Sequence, residues 1–336
     1  MVVDVIWKKY GEKELKPSDI DHEVSEHIDS SGRKYYTYVL NRYRMAPDSE
    51  GLIVIPRTLK NTYYNGQKVD AALTEIGERA FRNRYTDAVK IKGYGNSGDI
   101  PIKIGREAFA GDMNLFRFEA IDNTDIRFAK IGESAFEGSY AFHNMRIRSR
   151  DERYEGGTIG KKAFDGTALD LSKGDDVEFK GNWHTIGEGA FEDASLRYFR
   201  LNKIEGLKRI GRRAFSYTRI GKELPGAEAH SVEIPAGVES IGESAFLNSG
   251  IEKLKFQGTS LRSIGDYAFG SNQLAELTLP NGITGIGKGA FSYNKLTTAD
   301  ISKTAVTEVA EGAFRDNQLT DVTLPGSNLT DRKSVV

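Results

Sequence analysis

The sequence predicts an α/β repeat solenoid with one parallel β-sheet and a short helical turn in each coil. The pattern Ile-Gly-x-x-Ala-Phe, or a close variant, recurs ten times along the 336 residues. An apolar pattern, L-x-x-L-x-L, follows most copies at a fixed distance. Periods of about 20 to 50 residues are typical of solenoids, in which each unit buries its apolar face against its neighbours. The phenylalanines that mark the repeats are Phe81, Phe109, Phe136, Phe164, Phe191, Phe215, Phe246, Phe269, Phe291 and Phe314.

The L-x-x-L-x-L part of each repeat predicts a strand. Its apolar residues stand at positions +5, +8 and +10 from the phenylalanine, as Leu274, Leu277 and Leu279 do after Phe269. The last three positions alternate, which is the pattern of a strand with one buried face. Pro280 then ends the strand because proline has no N–H for the ladder. We expect these strands to lie side by side in one parallel sheet.

The Ile-Gly-x-x-Ala-Phe part predicts a single helical turn. Its spacing places the Ile, Ala and Phe side chains on one side of such a turn. The small alanine allows neighbouring coils to approach closely. Because large aromatic side chains dominate burial, the recurrent phenylalanine is expected to stack with its equivalents in a core column.

The segment from Asn272 to Phe291, Asn-Gln-Leu-Ala-Glu-Leu-Thr-Leu-Pro-Asn-Gly-Ile-Thr-Gly-Ile-Gly-Lys-Gly-Ala-Phe, resembles the BspA-like class of leucine-rich repeats. The resemblance covers about Leu52 to Pro325. It implies a right-handed leucine-rich-repeat superhelix and a protein of the bacterial cell surface or extracellular space that binds proteins, cells or glycans. It implies no common catalytic residue. The N-terminus has no signal-peptide pattern, so the compartment rests on the resemblance alone.

Two coils depart from the pattern. After Phe164, the +8 and +10 positions hold Ser172 and Gly174, which are poor core residues for a strand. After Phe215, an insertion delays the next strand to Val232 and Ile234. We expect the array to be irregular at these two points.

Three domains are predicted. Residues 1–50 lack the motif and are expected to form a small β-rich N-terminal cap, since a solenoid must shield its open core end. A remnant of another domain is the alternative. Residues 51–325 form the solenoid of about ten repeats. Residues 326–336 are expected to be a disordered tail; their ending, Asp331–Val336, matches what a translated sequencing adapter would leave, so a sequencing or cloning artefact is one explanation.

Composition excludes several classes of function. A net charge of −1 with 28% charged residues does not favour nucleic-acid binding. The absence of cysteine excludes thiol catalysis and thiolate metal sites. No stretch is apolar enough to insert into a membrane. We expect a monomer without cofactor or metal.

The motifs that could carry catalysis are weak. Gly93–Gly98 matches G-x-G-x-x-G, but the sequence after it leads into the next repeat and not into a long helix, so a dinucleotide would lack its helix N-terminus. His22 and His27 stand five residues apart in a charged segment and are expected to be solvated. The carboxylate pairs Asp151-Glu152 and Asp175-Asp176 lie in polar loops and lack the unequal environments of an acid and base pair. The sequence therefore does not predict an enzyme.

The outward strand positions, +7 and +9, are the best candidates for a binding site, because stacking aligns them across the sheet. Ala88 occupies the +7 position of the first repeat. The last coils carry Glu276, Asp300 and Asp321 there, so the face should change from basic to acidic. Charges that merely keep the sheet soluble and discourage edge pairing are the alternative. The predicted ligand-binding residues are Lys90, Arg117, Arg146, Tyr198, Arg200, Lys253 and Lys255.

These features favour a non-enzymatic recognition or adhesion module. A rigid array loses little ordering entropy on binding, and distributed side chains supply specificity. The expected ligand is a protein or glycan, with acidic character because the predicted face is basic. The alternative is a passive structural spacer or a fragment of a larger bacterial cell-surface protein.

Overall fold

The structure is a computed structural model, and it describes a defined part of the chain. The described residues are 12–44, 52–92, 100–115, 117–120, 128–139, 144–148, 157–167, 169, 178–180, 183–196, 199–204, 206–220 and 230–325. The fold divides into two compact units. Residues 1–153 with 167–179 form the first unit, and residues 154–166 with 180–336 form the second.

Strands dominate both units. Those of the first are β1 (Glu12–Glu14), β2 (Ile20–Ile28), β3 (Lys34–Tyr43), β4 (Leu52–Pro56), β5 (Thr58–Tyr64), β6 (Gln67–Ile76), β7 (Ala88–Lys92), β8 (Ile102–Ile104), β9 (Arg117–Ala120), β10 (Phe128–Ile131) and β11 (Asn144–Arg148). Then follow β12 (Gly157–Ile159), β13 (Glu178–Lys180), β14 (Trp183–Ile186), β15 (Arg209–Ile210), β16 (Ser231–Ile234), β17 (Ser240–Ile241), β18 (Lys253–Phe256), β19 (Ser263–Ile264), β20 (Gly285–Ile286), β21 (Thr298–Asp300) and β22 (Asp321–Thr323). The described helices are two 3₁₀ helices, Pro17–Asp19 and Leu201–Lys203.

The L-x-x-L-x-L strands pair in parallel, as predicted, but the described strands fall into separate sheets and do not form one continuous sheet. In the first unit the order is β1, β4, β7, β9 and β11, with every pair parallel. In the second unit β16 pairs with β18, and β21 pairs with β22, again in parallel. Val232 and Ile234 are buried in β16, which confirms the delayed strand. Around Phe199–Leu201 the expected strand is absent, because a 3₁₀ helix begins at Leu201.

A second parallel ladder, which the apolar pattern did not predict, is built from the segments that end at the Ile of Ile-Gly. In the first unit its order is β2, β3, β6, β8 and β10, and β5 also pairs with β6. The pairs β2–β3 and β5–β6 are antiparallel. In the second unit β12, β14, β15, β17, β19 and β20 follow one another in parallel.

The glycine of Ile-Gly permits close contact between coils. A Cβ atom added to Gly105 would lie 2.6 Å from the carbonyl carbon of Gly77. At Gly265 it would lie 2.5 Å from the backbone nitrogen of Glu243. Only a residue without a side chain fits at such a separation of two backbones.

The turn that carries Ala-Phe forms a third set of contacts between coils. The N–H of Phe81 donates to the carbonyl of Ala108 at 2.7 Å, and Phe246 donates to Ala268 in the same way. Within each turn the hydrogen bonds span three residues, as from Arg82 to Arg79. Positions −2 and +2 from every repeat phenylalanine have positive φ. The expected short turn is therefore present as hydrogen-bonded turns closed by left-handed residues.

The phenylalanine column is confirmed within each unit. All ten repeat phenylalanines are fully buried. Neighbouring rings within a unit stack with centroids 5.0 to 5.5 Å apart and planes within 4 to 10°. In the first unit Tyr43 extends the column, since its ring stacks on Phe81 at 5.3 Å. The end of β3 thus packs like one more coil.

A buried polar column, absent from our sequence prediction, runs beside the aromatic one at position +3. In the second unit it includes Asn272, which is 1% exposed, and Asn294, which is 7% exposed. Their amides bond backbone groups of two successive coils. Other coils hold Asp112, Ser139, Thr167, Thr218 and Ser249 at the same position, all buried. Side chains at this position hydrogen-bond to backbone groups of the turns that neither strand ladder pairs.

Several sequence predictions fall outside the described residues. They are the glycines at 93–98, the positions of Ser172 and Gly174, the carboxylate pairs at 151–152 and 175–176, and the tail at 326–336.

Candidate functional site

The predicted basic face of the first unit lies on β7, β9 and β11. Lys90 and Arg117 are half-buried there. In the strand register Lys90 is paired with Glu119, and Glu119 with Arg146. An acidic residue thus occupies the position between two of the predicted basic residues. Because directly opposed cross-strand residues interact most strongly, this row has mixed charge.

The outward face is not open at its first strands, contrary to the prediction for Ala88. Ala88 is 2% exposed and packs with Leu52 and Val54, which are 3% and 1% exposed. All five residues of β4 are buried. The reason is that β4 carries apolar side chains on both faces, so its outward face is a small second core.

In the second unit the predicted residues Arg200, Lys253 and Lys255 are all exposed. Lys253 and Lys255 stand on one face of β18, while Leu254 between them is buried. Lys255 is paired in the register with Glu233. Tyr198 lies outside the described residues.

The carboxylate of Glu233 is engaged by two amides. Its Oε2 atom accepts hydrogen bonds from Asn202 Nδ2 at 2.5 Å and from Gln257 Nε2 at 3.0 Å. These amide donors stabilise the carboxylate. The acid facing Lys255 is thus held in a fixed orientation.

The later coils of this unit carry the predicted acidic residues, with Asp300 on β21 and Asp321 on β22. Glu276, Asp300 and Asp321 are exposed. Hydrogen bonds from the hydroxyl and backbone N–H of Ser302 lower the pKa of Asp300. The change from basic to acidic residues therefore holds within the second unit, from β18 to β22.

The turn edge of the array carries ion pairs between neighbouring coils. At position −3 the residues alternate in sign as Glu78, Arg106 and Glu133 in the first unit, and as Lys161, Glu188, Arg212, Glu243, Asp266, Lys288 and Glu311 in the second, with one like-charged step. Glu78 pairs with Arg106, and Lys288 Nζ lies 2.9 Å from Glu311 Oε2. Lys288 lowers the pKa of Glu311 by its hydrogen bond. These ion pairs link position −3 of one coil to position −3 of the next.

The histidines are less solvated than predicted. His22 and His27 are half-buried, and their Nε2 atoms lie 2.6 Å and 2.8 Å from the hydroxyls of Thr62 and Thr37. The antiparallel pairing of β2 with β3 places His27 beside Thr37. Among the residues that the structure describes, no group of three or more His, Asp or Glu side chains could hold a metal ion.

A cavity of about 460 Å³ lies in the first unit between β1 and β5. Its apolar wall includes Leu15, Pro56 and Leu59, and its charged lining residues are Glu14, Lys16 and Lys60. These groups do not include a paired nucleophile and base, and they do not suggest a reaction. In the described part of the chain, no helix is long and apolar enough to cross a bilayer.

Comparison with known proteins identifies the class. Residues 57–222 and 226–334 match the BspA type leucine rich repeat region in six copies. The chain belongs to this family of leucine-rich repeat proteins. Among curated proteins, none matches it.

Several solved bacterial structures are similar to the chain. A leucine rich cell surface protein from Faecalibacterium prausnitzii is 17% identical, with 92% of this chain and 96% of that chain covered and a TM-score of 0.34. The pneumococcal vaccine antigen PcpA is 16% identical, with coverages of 93% and 81% and a TM-score of 0.42. A leucine rich repeat protein from T. pallidum is 15% identical, with coverages of 73% and 84% and a TM-score of 0.37.

Proposed function

We propose that the chain is a non-enzymatic recognition module that binds an acidic protein or glycan at β18 in the second unit. The observation that carries this proposal is the pair Lys253 and Lys255, both exposed on one face of a strand whose Leu254 is buried. The strand holds the two ammonium groups on the same side, so they meet a ligand together. A location at the bacterial cell surface is the part of the proposal that the family implies.

The support for binding is geometric and electrostatic. The strand pairing of β18 with β16 fixes the backbone beneath the lysines, so little ordering is required on binding. Two neighbouring exposed cations attract an acidic partner and raise its association rate. Because such charges are screened by salt, the attraction should weaken as ionic strength rises.

Reversing the two lysines tests the proposal. We expect Lys253→Glu with Lys255→Glu to abolish capture of heparin, as a sulfated glycan probe, and of an acidic protein probe. The melting temperature should stay close to that of the wild type, since exposed substitutions usually shift stability by only about 0.5 kcal/mol. The matched control is Lys295→Glu with Lys303→Glu, an identical charge change at exposed positions away from β18. Equal capture by all three proteins, or none by the wild type, would overturn the proposal.

A passive spacer is the second candidate, and the cross-strand acids favour it. Glu119 stands beside Lys90 and Arg146 in the register, and Glu233 stands beside Lys255. Alternating positive and negative side chains keep this face soluble and give it little net electrostatic field. A spacer predicts no capture of either probe by the wild type, so the same experiment separates the two functions.

A further inference from the structure

The turn edge of the second unit carries a column of left-handed residues at position +2. The column is Tyr217, Asn248, Ser271 and Tyr293, with φ between 51° and 59°. The N–H of Tyr217 donates to Leu247 of the next coil at 2.8 Å, and the N–H groups of Asn248 and Ser271 donate to the equivalent carbonyls one and two coils further on. The four residues are therefore in register on consecutive coils.

A third tyrosine lies in the parallel column at position −2. Tyr267 has a φ of 54°, and its N–H donates to Lys288 of the next coil at 2.8 Å. A Cβ atom added to Gly289 would lie 2.4 Å from Tyr267 Cε1. The Tyr267 ring thus rests against the backbone of Gly289, in space that any other residue would fill.

Burial in the core does not account for these three tyrosines. Tyr217, Tyr267 and Tyr293 are 47%, 38% and 53% exposed. A left-handed backbone is unfavourable for a bulky residue, whereas glycine and asparagine adopt it readily. The turn imposes this conformation in every repeat, but it does not require an aromatic residue there. Three exposed rings at these positions therefore point to a binding role.

Most charged groups of this edge are engaged in ion pairs, and Asp266 Oδ1 accepts the backbone N–H of Lys288 at 2.8 Å. Lys288 pairs with Glu311, Arg212 with Glu243, and Arg213 with Glu192 in the preceding coil. The two tyrosine columns themselves supply phenol, amide and hydroxyl groups. Tyrosine, serine, glycine and asparagine together give rigid apolar contact and adaptable hydrogen bonds.

We infer that this edge, from Tyr217 to Tyr293, binds a neutral polysaccharide. The C–H face of a sugar ring is apolar and packs on an exposed tyrosine ring, while its hydroxyls bond to groups such as those of Asn248 and Ser271. A polymer of repeated sugars suits an edge that repeats from coil to coil. The inference is independent of the lysines of β18, which stand at other positions of the repeat.

Replacing the rings without straining the turns tests this inference. Tyr217→Asn, Tyr267→Asn and Tyr293→Asn are combined in one variant, because asparagine tolerates the left-handed conformation. The probes are dextran, laminarin and galactomannan in native affinity electrophoresis. We expect at least one to retard the wild type, the triple variant to lose that retardation, and the retardation to persist at high salt. Thermal unfolding of the triple variant should be at or above the wild-type temperature.

The double lysine variant, Lys253→Glu with Lys255→Glu, is the matched control, and it should keep the retardation. Failure of all three polysaccharides to retard the wild type would overturn the inference. Equal retardation of the wild type and the triple variant would do so as well. If the triple variant lost binding only to a protein probe, the edge would be a protein interface instead.

Discussion

The side-chain oxygen of Asn272 accepts the backbone N–H of Ile251, in the preceding coil, at 3.0 Å. Its Nδ2 group donates to the carbonyl of Phe246 in that coil at 2.8 Å and to Phe269 in its own coil at 3.0 Å. Asn294 and Asn317 repeat the arrangement one and two coils later. Each amide therefore links two coils at the point where the turn leaves backbone groups unpaired.

Removing one such amide should destabilise the second unit. Asn294→Ala leaves the N–H of Leu274 without its partner and removes one of the two amide donors to the carbonyl of Phe269, which keeps Asn272. A buried unsatisfied group costs about 1–3 kcal/mol, so a loss of that order is expected. The urea midpoint measures it. Lys295→Ala, at the exposed neighbouring position, is the control and should leave the midpoint unchanged; an equal midpoint in Asn294→Ala would contradict the structural role.

Asp112 occupies the same column in the first unit but lacks the amide donor. Its Oδ2 atom accepts the N–H of Thr86 at 3.1 Å, as Asn294 accepts Leu274. Its Oδ1 atom is buried, with no hydrogen-bond partner among the described residues. Burial raises the pKa of Asp112 to about 7. A carboxyl group that must be desolvated is thus easier to hold in its protonated form.

Stability should depend on pH through Asp112. Since its pKa is higher in the folded than in the unfolded chain, the folded state binds the proton more tightly, and stability should fall as pH rises from about 4 to about 7. We expect Asp112→Asn to remove this dependence and to raise the melting temperature at pH 8. Asp300→Asn is the matched control, because the pKa of the exposed Asp300 is lowered. A melting temperature of Asp112→Asn below that of the wild type at pH 8 would contradict this account.

The parts of the fold that were predictable are those with a side-chain signature. Apolar residues recur at the buried positions of each repeat, so their spacing predicts the aromatic column and the parallel strands. The repeat of Phe269, Leu274, Leu277 and Leu279 is an example. The second ladder has a weaker signature. It depends on backbone pairing next to Gly105 and its equivalents. A glycine indicates that another backbone segment lies close to it, but the sequence does not show which segment that is.

The candidate site was harder to predict than the core. Exposure of Lys253 and Lys255 follows from alternation along a strand. The position of Glu233 beside Lys255 does not, because a long insertion separates the two strands and sequence spacing does not fix their register. The position of Asn272 was missed for a related reason. Asparagine three residues after the phenylalanine resembles an ordinary loop residue until its partners in the preceding coil are seen.

The alternating charges at position −3 should contribute a small, salt-dependent stability. Arg106→Glu would place a third carboxylate in the row of Glu78 and Glu133. Exposed pairs are worth about 0–1 kcal/mol, so a loss of that order is expected at low salt and less at high salt. Exchanging the charges, with Glu78→Arg added to Arg106→Glu, should recover part of it. Thermal unfolding at two ionic strengths measures both effects, and a loss that does not change with salt would mean that packing, not charge, is responsible.

Replacing one ring of the aromatic column should loosen the array locally. Phe246 stacks on Phe215 and Phe269 at 5.1 Å on each side. Phe246→Ala should cost about 3–5 kcal/mol, because a cavity would open between two fully packed rings.

Hydrogen exchange measures which coils lose stability in Phe246→Ala. In a repeat array each coil contacts only its neighbours, so the amides of Phe215 and Phe269 should lose more protection than the amide of Phe164, three coils earlier in the same unit. Tyr217→Asn, which removes an exposed ring, is the control and should leave these amides protected. An equal loss at all three amides would show instead that the second unit opens as one cooperative block.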